Sequence, residues 1–169
     1  MALEGKKGDF PEYQRNRDMS EHHATVEWDR GSAEFEYRSY SRDHTWKFEG
    51  GVRVSASSAP EYLGNANLLD PEKAYVAALA SCHMLTFLAI AARKRTVVDR
   101  YQDAAVGFLE KNADGKLAVT RVVLRPKVTF GSRPPSPEGL ERIHQLAHKE
   151  CFIANSVRTS VTVEIDWGI

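Results

Sequence analysis

Apolar and polar residues alternate along the first part of the chain. Apolar side chains stand at every second position in three short stretches, which are Val26 and Trp28, then Ala33, Phe35 and Tyr37, then Trp46 and Phe48. A period of two is typical of a β-strand with one buried face. We therefore predict short antiparallel strands, forming a sheet, ahead of residue 69.

The pattern then changes to a long uncharged run from Ala74 to Ala92. Asp70 is a suitable N-cap, Pro71 suits the first helical position, and Glu72 suits the positive end of the helix dipole. The basic residues at 93–95 suit the negative end. These signals predict one helix. Because a helix that is apolar nearly all round is usually buried on all sides, we expect it to lie at the centre of the protein.

The uncharged run is also long enough to raise the question of a membrane span. However, it contains polar or weakly polar side chains at Ser81, Cys82, His83 and Thr86. It is built largely of alanine rather than leucine, and no second run of this length occurs. We therefore expect a buried core helix and no membrane insertion.

A hairpin and a second helix are predicted after the uncharged run. Residues 104–130 have the pattern of a hairpin that turns at Asp114 and Gly115. Its inward-facing candidates are Val119, Val122, Leu124 and Val128. Residues 136–150 predict a helix with Ser136 as its cap, and this helix has an apolar stripe made of Leu140, Ile143 and Ala147.

The chain closes on a strictly alternating stretch made of Val157, Thr159, Val161, Val163 and Ile165. The predicted order is therefore strands, helix, strands, helix, strand, which is an α+β arrangement. No internal linker or repeat interrupts it, so we expect a single domain over residues 24–169. Residues 1–23 are polar and are expected to form a surface arm.

Composition and charge limit the classes of partner. Lysine and arginine number 23, as do aspartate and glutamate, so the formal net charge is zero. Nothing electrostatic favours nucleic acid or an anionic membrane, and small neutral molecules are the expected partners. The polar first residues have no apolar segment of the kind found in secretory signals, so we expect a cytoplasmic protein.

The two cysteines are the residues with the most distinctive chemistry. Cys82 lies in the middle of the first helix, and continuing the second helix at 100° per residue places Cys151 on its inward side. Two small buried core residues are the simpler interpretation, since free cysteine is commonly buried. Two inward thiols can also meet, and in a reducing compartment a bond between them would be transient and redox-active.

Two motifs resemble those of the OsmC and organic hydroperoxide resistance family. The stretch "DPEKAYVAALASCHM" resembles the family's helix, in which a cysteine follows ten residues after a Pro-Glu pair. The stretch "AHKECFIANSV" resembles its second motif, a cysteine at a helix end followed by a small polar stretch and the last strand. The resemblance covers about residues 24–167. It implies an OsmC-like α+β fold, with antiparallel sheets around two central helices, and an intertwined homodimer.

The same resemblance implies a thiol peroxidase that reduces organic hydroperoxides, and hydrogen peroxide as well. Cys82 would attack the peroxide and become a sulfenic acid, and Cys151 would resolve it as a Cys82–Cys151 disulfide. The enzyme would need no bound cofactor and no metal, only an external dithiol reductant.

The resemblance also implies a partner for the reactive thiol: an arginine held by Glu72. Glu72 is ten residues before Cys82, which is about 15 Å along a helix. The two residues can therefore share a site only if antiparallel helices of two subunits bring Glu72 of one subunit to Cys82 of the other. In "WKFEG", Lys47 stands where similar sequences have arginine, and Arg42 and Arg30 are the alternatives.

Three readings from other classes stay open. His144, His148 and Cys151 have a helical spacing that is compatible with a metal site. A hydrolase that uses Cys82 and His83 as a pair is the least favoured of the three, because neighbours on a helix point about 100° apart. The chain can also be a ligand-binding dimer of the same fold that lacks catalysis.

Overall fold

The computed structural model describes residues 19–131 and 133–167. Most of the predicted arm, residues 1–18, lies outside the described residues. Residues 19–23 are exposed and belong to no helix or strand. The described chain has eight strands and three α-helices in the order β1 β2 β3 α1 β4 β5 β6 β7 α2 α3 β8. The α+β order predicted from the sequence is confirmed.

The first sheet is a three-stranded antiparallel sheet made of β1 (Ala24–Glu27), β2 (His44–Phe48) and β3 (Arg53–Ala56). The predicted strand over residues 33–37 is wrong, because this stretch forms turns and irregular structure. Gly31 has a φ of 61°, a left-handed conformation that turns the chain at the end of β1. Phe35 then packs on the rings of Trp28 and Tyr40, at 5.7 and 5.2 Å between centroids. Its aromatic side chain is therefore used in a cluster within the loop.

Helix α1 (Pro71–Arg93) matches the prediction at both ends. The Asp70 side chain caps it by accepting a hydrogen bond of 2.8 Å from the backbone N–H of Lys73. By length and composition alone, α1 is apolar enough to cross a membrane, a property that it shares with the core helices of soluble proteins. Its capped ends and its packing against α2 and a sheet, described below, are those of a core helix.

Two further sheets follow. In one, β4 (Val98–Asp103) pairs antiparallel with β7 (Pro126–Phe130). In the other, β5 (Val106–Lys111) and β6 (Leu117–Leu124) form the predicted hairpin, and β8 (Ser160–Val163) lies on the outer side of β6. Gly115 occupies the turn with a φ of 75°. The β6–β8 pair is parallel, so the expectation of purely antiparallel sheets is wrong at this one pairing.

Helix α2 (Pro137–Glu150) starts where the sequence predicts, with the Ser136 hydroxyl accepting from the backbone N–H of Gly139 at 3.2 Å. It ends one residue before Cys151, and a short helix α3 (Phe152–Asn155) follows at once. Cys151 has an extended backbone between the two helices, so it does not continue α2 as the sequence analysis expects. It is nevertheless buried, as predicted.

Two hydrophobic clusters pack against different sides of helix α1. Phe87, Ile90 and Ala91 pack against Ile143 and Ala147 of α2. Nearer the start of α1, a second cluster on the sheet side consists of Leu79, Val122 and Leu124. Helix α1 therefore lies between α2 and the β5–β6–β8 sheet.

One side of α1 stays open in the single chain. Its exposed residues, which we call the open face, include Ala77, Ala78, Leu85, Ala89 and Ala92. Leu85 is 60% exposed. The expectation of burial all round is therefore not met by one chain alone, although exposed apolar surface of this kind commonly marks an interface.

The approach of α1 to β5 depends on Gly107. An added Cβ at this position would collide with Cγ2 of Val76. We expect Gly107→Ala to lower the free energy of unfolding by about 1–3 kcal/mol, because overpacking a tight contact forces the backbone or a stiff β-branched side chain to move. Chemical denaturation measures this cost. In a Val76→Ala background the added cost should largely disappear, and a cost that persists there would show that Val76 is not its cause.

Candidate functional site

Helix α1 places Cys82 close to its middle. Cys82 is half-buried, whereas His83, the next residue, is 1% exposed. The hydroxyl of Thr86, one turn on, donates to the carbonyl of Cys82 at 2.9 Å. The thiol therefore lies at the border between the open face of α1 and the core.

The reversal of the chain at Cys151 brings the second thiol to the first. The backbone N–H of Cys151 donates to the carbonyl of His148, which ends α2. The Asn155 side-chain amide donates to the carbonyls of Lys149 and Cys151, at 2.8 and 3.1 Å. Asn155 thus closes the turn between α2 and α3, and α3 is held against α1.

The two sulfur atoms accept hydrogen bonds from two consecutive backbone amides of α3. The backbone N–H of Ile153 donates to Sγ of Cys82 at 3.5 Å, and the backbone N–H of Ala154 donates to Sγ of Cys151 at 3.5 Å. Cys82 and Cys151 are both free thiols in this structure. Consecutive amides on one short turn therefore hold both sulfurs at one place, although they come from distant parts of the sequence.

The surroundings of Cys151 favour its protonated form. Burial, together with a hydrogen bond to Cys82, raises the pKa of the Cys151 thiol to about 11. Cys151 is therefore a protonated thiol at neutral pH and a hydrogen-bond partner of Cys82. A buried protonated thiol suits a residue that reacts second rather than first, since the thiolate is the nucleophilic form.

A pair of buried histidines lies beside the thiols. Nε2 of His83 and Nδ1 of His144 are 3.1 Å apart, and the two rings lie nearly parallel, 2° apart. The ring of Phe87 stacks on His144 at 4.4 Å between centroids. Burial lowers the pKa of both histidines to about 4, so the pair is neutral at pH 7.

The three charged residues proposed from the sequence lie elsewhere in the chain. Lys47, on β2, forms an ion pair with Glu27 of β1. Arg42 donates to the carbonyls of Tyr37 and Tyr40 and lies over the Tyr40 ring. Within residues 19–131 and 133–167, no hydrogen bond or ion pair joins either cation to Cys82.

Glu72 is in the first turn of α1 and lines a cavity of about 610 Å³ between α1 and the start of β5. Cys82 does not line this cavity. One subunit therefore brings Cys82 and Cys151 together and leaves Glu72, Lys47 and Arg42 apart from them. The roles of these three residues stay predictions.

The metal alternative finds no support in the geometry. Among the residues that the structure describes, no three histidine, cysteine, aspartate or glutamate side chains are grouped so that they could hold a metal ion. His144 binds His83, and Cys151 faces Cys82. The hydrolase alternative is likewise weakened, because His83 is paired with His144 and not with its neighbour Cys82.

Sequence reasoning missed the groups that hold the sulfurs. The Ile153 amide is a backbone group and leaves no sequence signal of its own. Asn155 does leave one: a residue with an amide side chain four positions after Cys151 is well placed to cap a short turn. The histidine pair was missed because its members are 61 positions apart and only the packing of α1 on α2 joins them.

Chemically, this arrangement is a reduced dithiol ready to form a bond. Two thiols that share adjacent amides can close to a disulfide after one of them is oxidised. The more exposed sulfur, that of Cys82, is the one that a small oxidant reaches first.

Comparisons with known proteins identify the family to which this fold belongs. The family model described as OsmC-like protein matches residues 64–166. An OsmC-like protein of unknown function from Vibrio cholerae is 52% identical, with a TM-score of 0.84 over 88% of this chain and 100% of the other. A comparison with curated protein sequences gives no match.

More distant solved structures share the fold. An organic hydroperoxide resistance protein of Bacillus subtilis is 17% identical, with a TM-score of 0.64 over 87% of this chain and 98% of the other. An organic hydroperoxide resistance protein from Legionella pneumophila, also described as a predicted redox protein, is 16% identical, with a TM-score of 0.65 over 87% and 96% of the two chains. With a family model that matches most of its length and a relative at 52% identity, the chain belongs to the OsmC-like family.

Proposed function

We propose that the protein is a cysteine-based peroxidase that reduces organic hydroperoxides, and hydrogen peroxide as well. The observation that carries this proposal is the pair of sulfurs held by consecutive amides of α3. A peroxide resistance or redox role agrees with the fold that the chain shares with the hydroperoxide resistance proteins.

The first step of the proposed reaction takes place at Cys82. Its thiolate attacks one oxygen of the peroxide, the O–O bond breaks, and the leaving alkoxide takes up a proton to become an alcohol. Cys82 is oxidised to a sulfenic acid. The Ile153 amide, which donates to this sulfur, favours negative charge on it during the attack.

The second step joins the two cysteines. The Cys151 thiol gives up its proton, its sulfur attacks the Cys82 sulfur, and hydroxide leaves as water. The high pKa of the Cys151 thiol keeps it protonated until this step. An external dithiol of the cytoplasm then reduces the disulfide, and the enzyme holds no bound cofactor or metal.

The surroundings of the thiols favour an organic substrate. Phe152 and Ile153 follow Cys151 and are 82% and 37% exposed, and Leu85 is exposed on α1 one turn after Cys82. Apolar side chains around a reacting thiol bind the alkyl part of a hydroperoxide better than they bind hydrogen peroxide.

We also propose that the working form is a homodimer with shared sites. The open face of α1 leaves alanines exposed that allow another helix to come close. Glu72, about 15 Å along α1 from Cys82, can reach a thiol only in another subunit. In this arrangement Glu72 and a cation of the first sheet complete the site of the partner.

The roles of the two cysteines are tested by substitution. We expect Cys82→Ser to abolish peroxide consumption, because the attacking atom is gone. Cys151→Ser should complete one round and stop at the sulfenic acid, which dimedone traps. One equivalent of peroxide added to the native protein should give an intrachain Cys82–Cys151 bond by peptide mapping. If both thiols stay free and do not react with peroxide, the proposal is wrong and the non-catalytic, ligand-binding alternative is favoured.

Shared sites are tested by mixing subunits. Glu72→Gln and Cys82→Ser homodimers should each be inactive or nearly so. A mixed dimer has one site with both residues intact, so we expect roughly half of the native activity per dimer. Subunit exchange is verified by mass spectrometry, with Glu72→Gln mixed into itself as the control. Proven exchange without recovered activity would rule out the shared geometry.

The activating cation is tested by the pH dependence of Cys82 alkylation. Removing it, in Lys47→Met or Arg42→Met, should move the midpoint upward by on the order of one pH unit, because a nearby positive charge favours a thiolate. Lys47→Arg should keep the native midpoint if Lys47 is the partner. Lys116→Met, at an exposed position in the β5–β6 turn, is the charge-matched control. Equal midpoints in all four variants would contradict an activating role for either cation.

A further inference from the structure

The His83–His144 pair is a buried contact that the proposed chemistry does not use. His83 is 1% exposed and His144 is 2% exposed. Their one hydrogen bond joins Nε2 of His83 to Nδ1 of His144. The remaining ring nitrogens, Nδ1 of His83 and Nε2 of His144, are buried and have no partner among the described residues. The pair therefore has one hydrogen bond where four ring nitrogens are buried.

The position of the pair relates it directly to the two thiols. His83 is the residue after Cys82 on α1. His144 is on α2, seven residues before Cys151, which is about 10 Å along a helix. The hydrogen bond therefore ties the segment that carries one thiol to the segment that carries the other. It lies within the α1–α2 core, beside Phe87.

No carboxylate among the residues that the structure describes accepts a hydrogen bond from the ring of His83 or His144. A positive charge on His148, one turn after His144 on α2, would repel a charged His83. Tyr101 of β4 packs on Phe87, and burial raises the pKa of Tyr101, so that its side chain is uncharged.

The carboxyl groups on the remaining elements around the pair are those of Asp103 and Glu141. Asp103, on the same face of β4 as Tyr101, is half-buried, and burial raises the pKa of its carboxyl. On the β8 side, His144 and His148 line a cavity with apolar Val161 and Val163 and with Glu141 of α2, an exposed carboxylate. Helix α3 contributes the backbone amides of Ile153 and Ala154, which donate to the sulfurs of Cys82 and Cys151.

We propose that the His83–His144 pair positions α2 and α3 against α1, and that protonation of the pair loosens this contact and separates the two thiols. The proposal rests on the proposed function, since it concerns the alignment of the same thiols. His83 and His144 are positioning residues in this role, because they act through the helices and touch no substrate.

The direction of the pH dependence follows from the neutral state of the pair. The pKa of each histidine is about 4 in the folded protein, below the usual value of 6.5. The stabilisation from the neutral pair is therefore complete above pH 6.5 and is lost as the pH falls toward 4. Each proton taken up on opening changes the opening equilibrium by about tenfold per pH unit.

The first measurement needs no peroxide. Amide hydrogen exchange of the reduced protein is followed in α2 and α3 between pH 7.5 and 4.5, after correction for the intrinsic pH dependence of exchange. We expect native protection to fall by about tenfold or more per pH unit below pH 6.5. Protection in β5 and β6, which do not contain the pair, should fall less.

The matched variant keeps the hydrogen bond and removes the titration. In His83→Gln/His144→Asn the amide groups reach about where Nε2 and Nδ1 lie, and neither ionises near pH 5. Its acid-induced loss of protection should be absent or reduced to twofold or less. If this variant does not fold at pH 7.5, His83→Leu/His144→Leu replaces it, since removing both partners leaves no buried unpaired group. His148→Gln is the control, and it should keep the acid transition.

The second measurement follows the thiols themselves. After one equivalent of peroxide, the ratio of intrachain disulfide to dimedone-trapped sulfenic acid is determined at each pH. This ratio should fall more steeply below pH 6.5 in the native protein than in the non-titrating variant, in which only the loss of the Cys151 thiolate acts.

Two results would overturn the proposal. One is an acid transition in amide exchange that is the same in the native protein and in the non-titrating variant. The other is titration of His83 and His144 above pH 6, by imidazole NMR, without any loss of protection in α2 and α3. A native protein whose Cys82 is never oxidised contradicts the proposed function instead, and the exchange measurement still decides whether the pair responds to acid.

Discussion

The docking of the α2–α3 turn on α1 is the contact on which the candidate site depends. Cys82 lies on α1 and Cys151 lies between α2 and α3, and their sulfurs meet because two consecutive amides of α3 donate to them. Asn155 closes the turn from within, and buried apolar residues join α1 to α2. The chemistry of the thiols is therefore a property of helix packing, and a change that shifts α2 would alter it without touching either cysteine.

One side of the long uncharged run of α1 packs in the core, and the other side is exposed in the single chain. Leu79, Phe87 and Ile90 form the contact with the sheet and with α2. The opposite side has small or exposed apolar residues, which the single chain does not cover. A thiol at the border of these two sides is anchored by a rigid core while its sulfur stays within reach of a small molecule.

Sequence patterns predict the helices well and the short strands less well. Asp70 and Ser136 mark both helix starts, because the N-cap is a local interaction between neighbouring residues. The alternation at residues 33–37 gives a wrong strand, because Phe35 packs on Trp28 and Tyr40 within a loop. An alternating pattern reports which side chains are apolar but not what covers them.

The same distinction separates the two halves of the candidate site. The cysteines are visible in the sequence because their motifs are local, whereas the amide of Ile153 and the pairing of His83 with His144 exist only after the chain has packed. The sequence predicts a basic side chain on or near the first sheet, Lys47 or Arg42, as the partner of Cys82. Lys47 and Arg42 instead have contacts within their own sheet and loop, which no pattern of charges along the chain displays.

The separation of Cys82 and Cys151 along the chain has a thermodynamic consequence. A bond between them would close a loop of about 70 residues and restrict the unfolded chain, which stabilises a folded protein by about 4 kcal/mol in the chain-entropy description. The two thiols are already hydrogen-bonded to each other in the reduced protein, so the bond would join groups that the fold has brought into contact. Oxidation would then make the protein more resistant to unfolding. The reductant that restores the dithiol would have to supply that same free energy, so it must be a stronger reductant than one acting on a loosely held pair of thiols.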